Sequence, residues 1–234
     1  MTGEHSSKQY DADLETIRSK VLLMGGLVEK QFQDAIEVFR SGNVEIGERI
    51  IKDDVQVNHM EIELDNACSH LIVRRQPTAN DLRTVMATIK VITDLERVGD
   101  EAAKIARIAI QLHKRGLSTI NHFETVHVIA DGAMDQLHNA LDALARLDEK
   151  EAIQLIKHDD VIDKDFGFIM RNVITYMMED PRTISAAMDT LWVAKAIERI
   201  GDHAKNIAEY VIYIVEGKDI RHTDYAATQI DSGA

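Results

Sequence analysis

A hexapeptide that occurs twice constrains this chain more than any other feature. Leu95-Glu96-Arg97-Val98-Gly99-Asp100 returns as Ile197-Glu198-Arg199-Ile200-Gly201-Asp202, so the two glutamates stand 198 − 96 = 102 residues apart in a chain of 234. Self-similarity at nearly half the chain length implies two copies of one supersecondary unit. Steps of three and four through the first copy pick out Leu82, Val85, Ile89, Ile92, Glu96, Gly99, Ala103, Ala106 and Ile110. The second copy gives Ile184, Ala187, Leu191, Ala194, Glu198, Gly201, Lys205, Ala208, Ile212 and Val215. An apolar stripe of that period is the core-facing side of a helix. Glu and Asp four residues apart share one helix face, a turn from each other. A carboxylate set into such a stripe must be paired, protonated or metal-bound, because a bare buried charge is very costly. The neighbouring glycines remove bulk, leaving room for another helix or an ion.

Composition agrees with an all-α fold. Only two prolines and 5% aromatic residues accompany a chain rich in Ala, Leu, Ile, Glu and Asp. A net charge of −13 disfavours nucleic acid as a partner. Cys68 is the single cysteine, which excludes an internal disulfide and fits a reducing compartment. The first nine residues lack the apolar run of a secretory signal. No apolar stretch approaches the roughly 18 residues of a membrane span. There is no Gly-rich phosphate loop.

Local punctuation predicts six helices at about 11–40, 44–75, 78–114, 121–147, 148–179 and 180–216. Gly42-Asn43 and Gln76-Pro77 break the first half; Thr78 and Asp81 read as a capping pair. In the second half Asn121 with Glu124, Asp148 with Glu151, and Asp180-Pro181 mark helix starts, and Gly217 marks a stop. Residues 1–9 are expected to fray and 221–234 to form a mobile tail. Helices of roughly 25–35 residues would each run about 40–50 Å, and short loops make neighbours antiparallel. The expected architecture is two tandem antiparallel three-helix bundles, 10–116 and 117–220.

The neighbouring helices supply acidic partners. Along helix five Ala152, Ile156, Asp159, Asp163, Phe166, Met170, Val173 and Met177 read as an apolar seam interrupted by two acids. At an offset of 105, helix two reads Gly47, Ile51, Asp54, Asn58, Glu61, Asp65, Cys68 and Ile72. Each bundle thereby gathers a set on one wall: Asp54, Asn58, Glu96 and Asp100 in the first, Asp159, Asp163, Glu198 and Asp202 in the second. Crowded carboxylates repel one another, and a cation such as Mg, Mn, Ca, Fe or Zn removes the conflict. The competing reading is an acidic bundle neutralised by Arg97, Arg199, Arg74, Arg75 and Lys205. His203 is expected on the surface, and Cys68 in packing rather than chemistry.

The twin motifs, with Met24-Gly25-Gly26, Arg75-Gln76-Pro77-Thr78-Ala79, Asp81-Leu82-Arg83 and Tyr176-Met177-Met178-Glu179-Asp180, resemble the PhoU family over nearly the whole chain. The resemblance implies two tandem three-helix bundles and a cytoplasmic, non-enzymatic adaptor at the inner face of the membrane. Its implied partners are the ATPase subunit of a phosphate ABC transporter and a sensor histidine kinase. Its implied role is to restrain uptake and starvation genes when phosphate is plentiful, often as a homodimer and without entering the membrane itself. The family's metal-bearing Glu/Asp-x-x-x-Asp pattern carries over in full onto Asp159, Asp163, Glu198 and Asp202. In the first half it falls on Asp54, Glu96 and Asp100 and departs at Asn58, so unequal sites are expected. The alternative is a metal-dependent oxidase or hydrolase on a carboxylate-rich bundle. That reading calls for paired Glu-x-x-His motifs, and Glu124-x-x-His127 stands alone.

Overall fold

Gly42 and Asn43 alone separate the first two helices, and that economy of connection sets the architecture. The computed structural model describes residues 3–116 and 124–221; the side chains of 3–7, 124–125 and 158–160 fall outside the description. Among the described residues six long helices account for nearly everything: α1 (Gly3–Ser41), α2 (Val44–Arg75), α3 (Ala79–Lys114), α4 (Glu124–Arg146), α5 (Glu149–Glu179) and α6 (Ile184–Glu216). No described helix is long and apolar enough to cross a membrane.

The helix ends follow their local chemistry. Asn43 caps α2 by accepting from the Ile46 amide, and Gln76 closes it in a left-handed conformation ahead of Pro77. Asp148 caps α5 by accepting from the amides of Lys150 and Glu151. Asp180 accepts from the Arg182 amide, but Pro181–Thr183 winds as a 3₁₀ turn before α6 begins at Ile184. Two expectations are corrected. The Thr78 side chain makes no capping bond; the turn closes instead through the Asp81 amide and the Thr78 carbonyl at 3.1 Å. Helix α1 begins at Gly3 rather than near residue 11, since no proline or turn pair interrupts its ladder. Of the expected tail at 221–234 and the expected boundary loop at 116–119, only Arg221 and Gly116 are among the described residues.

Helices α1–α3 form one three-helix bundle and α4–α6 another, joined by α3 against α6 and α1 against α4. One continuous apolar core runs through both, with Phe32, Met24, Leu64, Ile92, Leu95, Leu137, Ile169, Ile197 and Ile200 fully buried. Gly25 lets α1 lie close on α4, where an added methyl would strike Leu141. The α3–α6 contact is antiparallel. Glu101 on α3 meets Arg199 on α6 at 2.6 Å, and Arg115 near the end of α3 meets Asp189 near the start of α6 at 3.0 Å. Both motif-bearing helices therefore sit at the centre, each serving its own bundle and the junction.

Candidate functional site

The seam of α3 is buried from Val85 to Ile110, with Ile89 and Glu96 half-buried within it and Leu82 exposed at the end. That of α6 runs from Ala187 to Ile212, with Glu198 buried, Leu191 and Lys205 half-buried, and Ile184 and Val215 exposed. The motif residues thus sit where the apolar period places them. Asp100 and Asp202, a turn further on, are exposed at the rim.

In the first bundle, α2 brings Asp54 to this wall, 6% exposed, and Asn58, Glu61 and Asp65 half-buried. Helix α1 adds a residue that the sequence argument passed over: Gln31, 7% exposed. A Cβ on Gly99 would lie 3.3 Å from Gln31 Oε1 and 3.5 Å from Asp54 Oδ1, so the missing side chain opens the space where they meet. Gln31 Oε1, Asp54 Oδ1, Asn58 Oδ1 and Asp65 Oδ1 are all buried without a hydrogen-bond donor. Buried acceptors left unsatisfied are costly. Arg107, at 3.8 Å from Asp54, is the cation nearest this set in an ion pair.

Electrostatics follow from this crowding. Burial first, then Asp100, pushes the Asp54 carboxyl up, and Arg107 pulls back. Burial raises Glu96, helped by Asp100, Glu61 and Asp54. Glu61 is raised by burial and by Asp65 and Asp100. Asp54, Glu61, Asp65, Glu96 and Asp100 are therefore electrostatic neighbours.

In the second bundle Gly201 faces Gln136, the counterpart of Gln31 at 136 − 31 = 105, with Gln136 Oε1 at 3.1 Å from the position of a Cβ and Ile162 Cδ1 at 3.0 Å. Lys195 Nζ donates to Glu198 Oε1 at 2.6 Å and lies equally close to Oε2, off a bonding angle. The same ammonium is 5.3 Å above the Phe166 ring. Asp163 departs from its expected place. The buried stripe of α5 runs through Ala152, Leu155, Ile162, Ile169 and Val173, and Asp163, one residue past Ile162, is turned out beside Lys164, Gly167 and Arg171. The side chain of Asp159 lies outside the described residues.

The donor set of the first bundle, carboxylates with amide oxygens, fits a hard cation. As they stand, no three described His, Cys, Asp or Glu side chains converge on one ion. Of the expected neutralising cations, Arg199 is taken by Glu101 and Arg75 by Asp13, at 2.9 Å. Cys68 is fully buried, and burial pushes its thiol up to about 11, which fits a packing role.

His203 is buried rather than on the surface. Its Nδ1 lies 2.7 Å from Asp94 Oδ1, and Asn206 Nδ2 donates to the same oxygen at 3.2 Å. Asp94 as a carboxylate only accepts, so Nδ1 carries the proton. Tyr210 joins the group through a hydrogen bond with Asp94, and Lys90 lies over its ring. Asp94 stands outside the motif and its partners lie over 100 residues away, so only topology reveals the cluster.

The PhoU domain model matches residues 21–109 and 126–211, one copy in each bundle. A phosphate-specific transport system accessory protein PhoU homolog of Pseudomonas putida is 45% identical over 93% of this chain and 85% of its own length. The phosphate-specific transport system accessory protein PhoU of Escherichia coli K12 is 42% identical over 94% and 90%. The crystal structure of PhoU from Pseudomonas aeruginosa superposes with a TM-score of 0.87 at 42% identity, covering 89% of this chain and 100% of that one. The phosphate transport system regulatory protein PhoU of Streptococcus pneumoniae gives 0.81 at 27% identity, covering 89% and 98%. With both motif copies, both bundles and both halves of the sequence matched, the chain belongs to the PhoU family.

Proposed function

We propose that this protein is a non-enzymatic regulator of phosphate uptake and of the phosphate-starvation response. It acts in the cytoplasm, at the inner membrane face, between the ATPase subunit of a phosphate transporter and a sensor histidine kinase, and keeps both quiet when phosphate is plentiful. The observation that carries this reading is the near full-length identity of 42–45% to phosphate-specific transport system accessory proteins. The fold supports it. Long helices present wide faces for partners, and the catalytic alternative lacks the paired Glu-x-x-His motif it calls for. Asp54, Asn58, Glu96 and Asp100, with Gln31 beside them, hold a divalent or trivalent ion. Glu198 and Asp202, with Asp159 from α5, form the counterpart in the second half, from which Asp163 is turned away. Four buried acceptors without donors support the first of these sites. A bound ion supplies the missing positive charge and ties α2 to α3. The protein works as a homodimer.

The test is a phosphate-repressed phosphatase reporter in phosphate-rich cells lacking this gene. Deletion is expected to switch the reporter on, and the wild-type chain to silence it. A reporter that stays off after deletion refutes the regulatory reading. An Asp54/Glu96/Asp100→Ala variant that silences as well as wild type removes the acids from repression.

A further inference from the structure

The two acidic walls descend from one repeat, and they differ at the residues that control charge. The pairing of positions is fixed by the structure. Gly99 faces Val57 and Gln31, and Gly201 faces Ile162 and Gln136, which sets the offset at 105 for α1/α4 and α2/α5 and 102 for the motif helices. On this register Lys195 stands where the first half has Thr93, Phe166 where it has Glu61, and Met170 where it has Asp65.

The first two exchanges act together, and the third removes a further acid. Thr93 brings no charge, and its hydroxyl donates back to the Ile89 carbonyl at 3.2 Å. Lys195 puts an ammonium 2.6 Å from the carboxylate of Glu198, which is 8% exposed. Phe166 supplies a ring face to the same ammonium at 5.3 Å and removes the acid that Glu61 contributes opposite Glu96. An ammonium with three donors, held between a carboxylate and an aromatic face, meets the electrostatic demand that a metal ion would meet. The first wall has no equivalent. Four of its acceptor oxygens lack a donor and Arg107 reaches Asp54 only at 3.8 Å, whereas in the second wall Glu198 Oε2 also lacks a hydrogen-bond donor but has the Lys195 ammonium 2.6 Å away.

We propose that Lys195 is a tethered counter-ion occupying the place of a metal in the second half, so that the two acidic sites load in order, the first half before the second. The inference rests on the metal reading of the acidic walls. It reverses the order suggested by the motif letters, by which the second half is the more complete. An ion entering beside Glu198 must first break a charge-assisted bond and expel the ammonium, which weakens that site by about tenfold relative to an unobstructed one.

The experiment is a Mn²⁺ titration of the metal-stripped full chain, with free ion followed by electron paramagnetic resonance. Wild type is expected to show a tight and a weak class, and Glu198→Gln to lose the weak class alone. Lys195→Met, which keeps the stem on Phe166 and deletes the charge, is expected to tighten the weak class by about tenfold and leave the tight class unchanged. Thr93→Lys, the reciprocal change, is expected to weaken the tight class. Circular-dichroism melting confirms that each variant is folded. If wild type binds Mn²⁺ and neither Lys195→Met nor Thr93→Lys alters its class, the counter-ion proposal is overturned while the metal reading stands. If wild type and variants all fail to bind, both fall.

Discussion

Replacing Asp94 by alanine removes a buried acceptor that several donors share at the α3–α6 junction. Asp94 is 3% exposed and takes hydrogen bonds from His203 Nδ1 at 2.7 Å and Asn206 Nδ2 at 3.2 Å, with Tyr210 alongside. The Asp94→Ala chain keeps those donors but offers them no carboxylate. Each buried polar group left unmade costs about 1–3 kcal/mol. His203, itself buried, contributes at the upper end of that range, and the half-buried Asn206 at the lower end because water reaches it. The expected loss is about 3–5 kcal/mol, comparable to breaking one side of a buried ion pair. Against a total stability on the order of 5–15 kcal/mol, that is a large fraction. Urea unfolding followed by circular dichroism measures it for wild type, Asp94→Ala, His203→Ala and the double variant. The cycle is expected to give a coupling of about 1 kcal/mol or more. A loss below about 1 kcal/mol for Asp94→Ala, or strict additivity in the cycle, refutes the argument that this group locks the halves together.

Gly42→Ala is expected to cost about 1–3 kcal/mol in the same assay, because φ there is +71° and the methyl would enter the His113 ring; a neutral effect contradicts this account. Cys68, buried and with its thiol raised to about 11, is expected to resist iodoacetamide at pH 8 in the native state and to react once unfolded. Prompt native labelling would refute its burial. His138, bonded to Glu29 at 2.8 Å between α4 and α1, has its pKa raised above 6.5, first by that hydrogen bond and then by the charge of Glu29. Its contribution is fully present below pH 6.5 and fades as pH rises through the raised value. The ring resonances of His138 should titrate at higher pH than in Glu29→Gln, and identical titrations would remove the pair.

Helix boundaries were legible wherever the signal is local. Gly42-Asn43, Gln76-Pro77 and Asp148 act within a few residues of themselves, and α2 runs over the expected 44–75. The motif residues were legible because a 3.6-residue period fixes their face. What failed was choice of register within a wide stripe. Steps of four carry Asp159 to Asp163, yet the buried line passes through Ile162, and a slip of one residue rotates a side chain by about 100°. Gln31 and Gln136 were accessible in principle, as they stand at the same 105-residue offset that relates α2 to α5, but an amide in a polar-rich helix carries no distinctive period. Asp94 with His203 was beyond reach, since 109 residues separate them and only the packing of one half on the other brings them together.

The fusion of two bundles into one chain has a consequence for how such a protein diversifies. Were the halves separate but identical chains related by a dyad, any lysine introduced beside one acidic wall would appear beside both. Covalent duplication releases each copy from that constraint. Arg199 answers Glu101 across the junction, whereas the position equivalent to Glu101 is His203, which turns to Asp94 instead. One lineage of residues can keep an ancestral role while its sister is edited, within a single core that neither can leave.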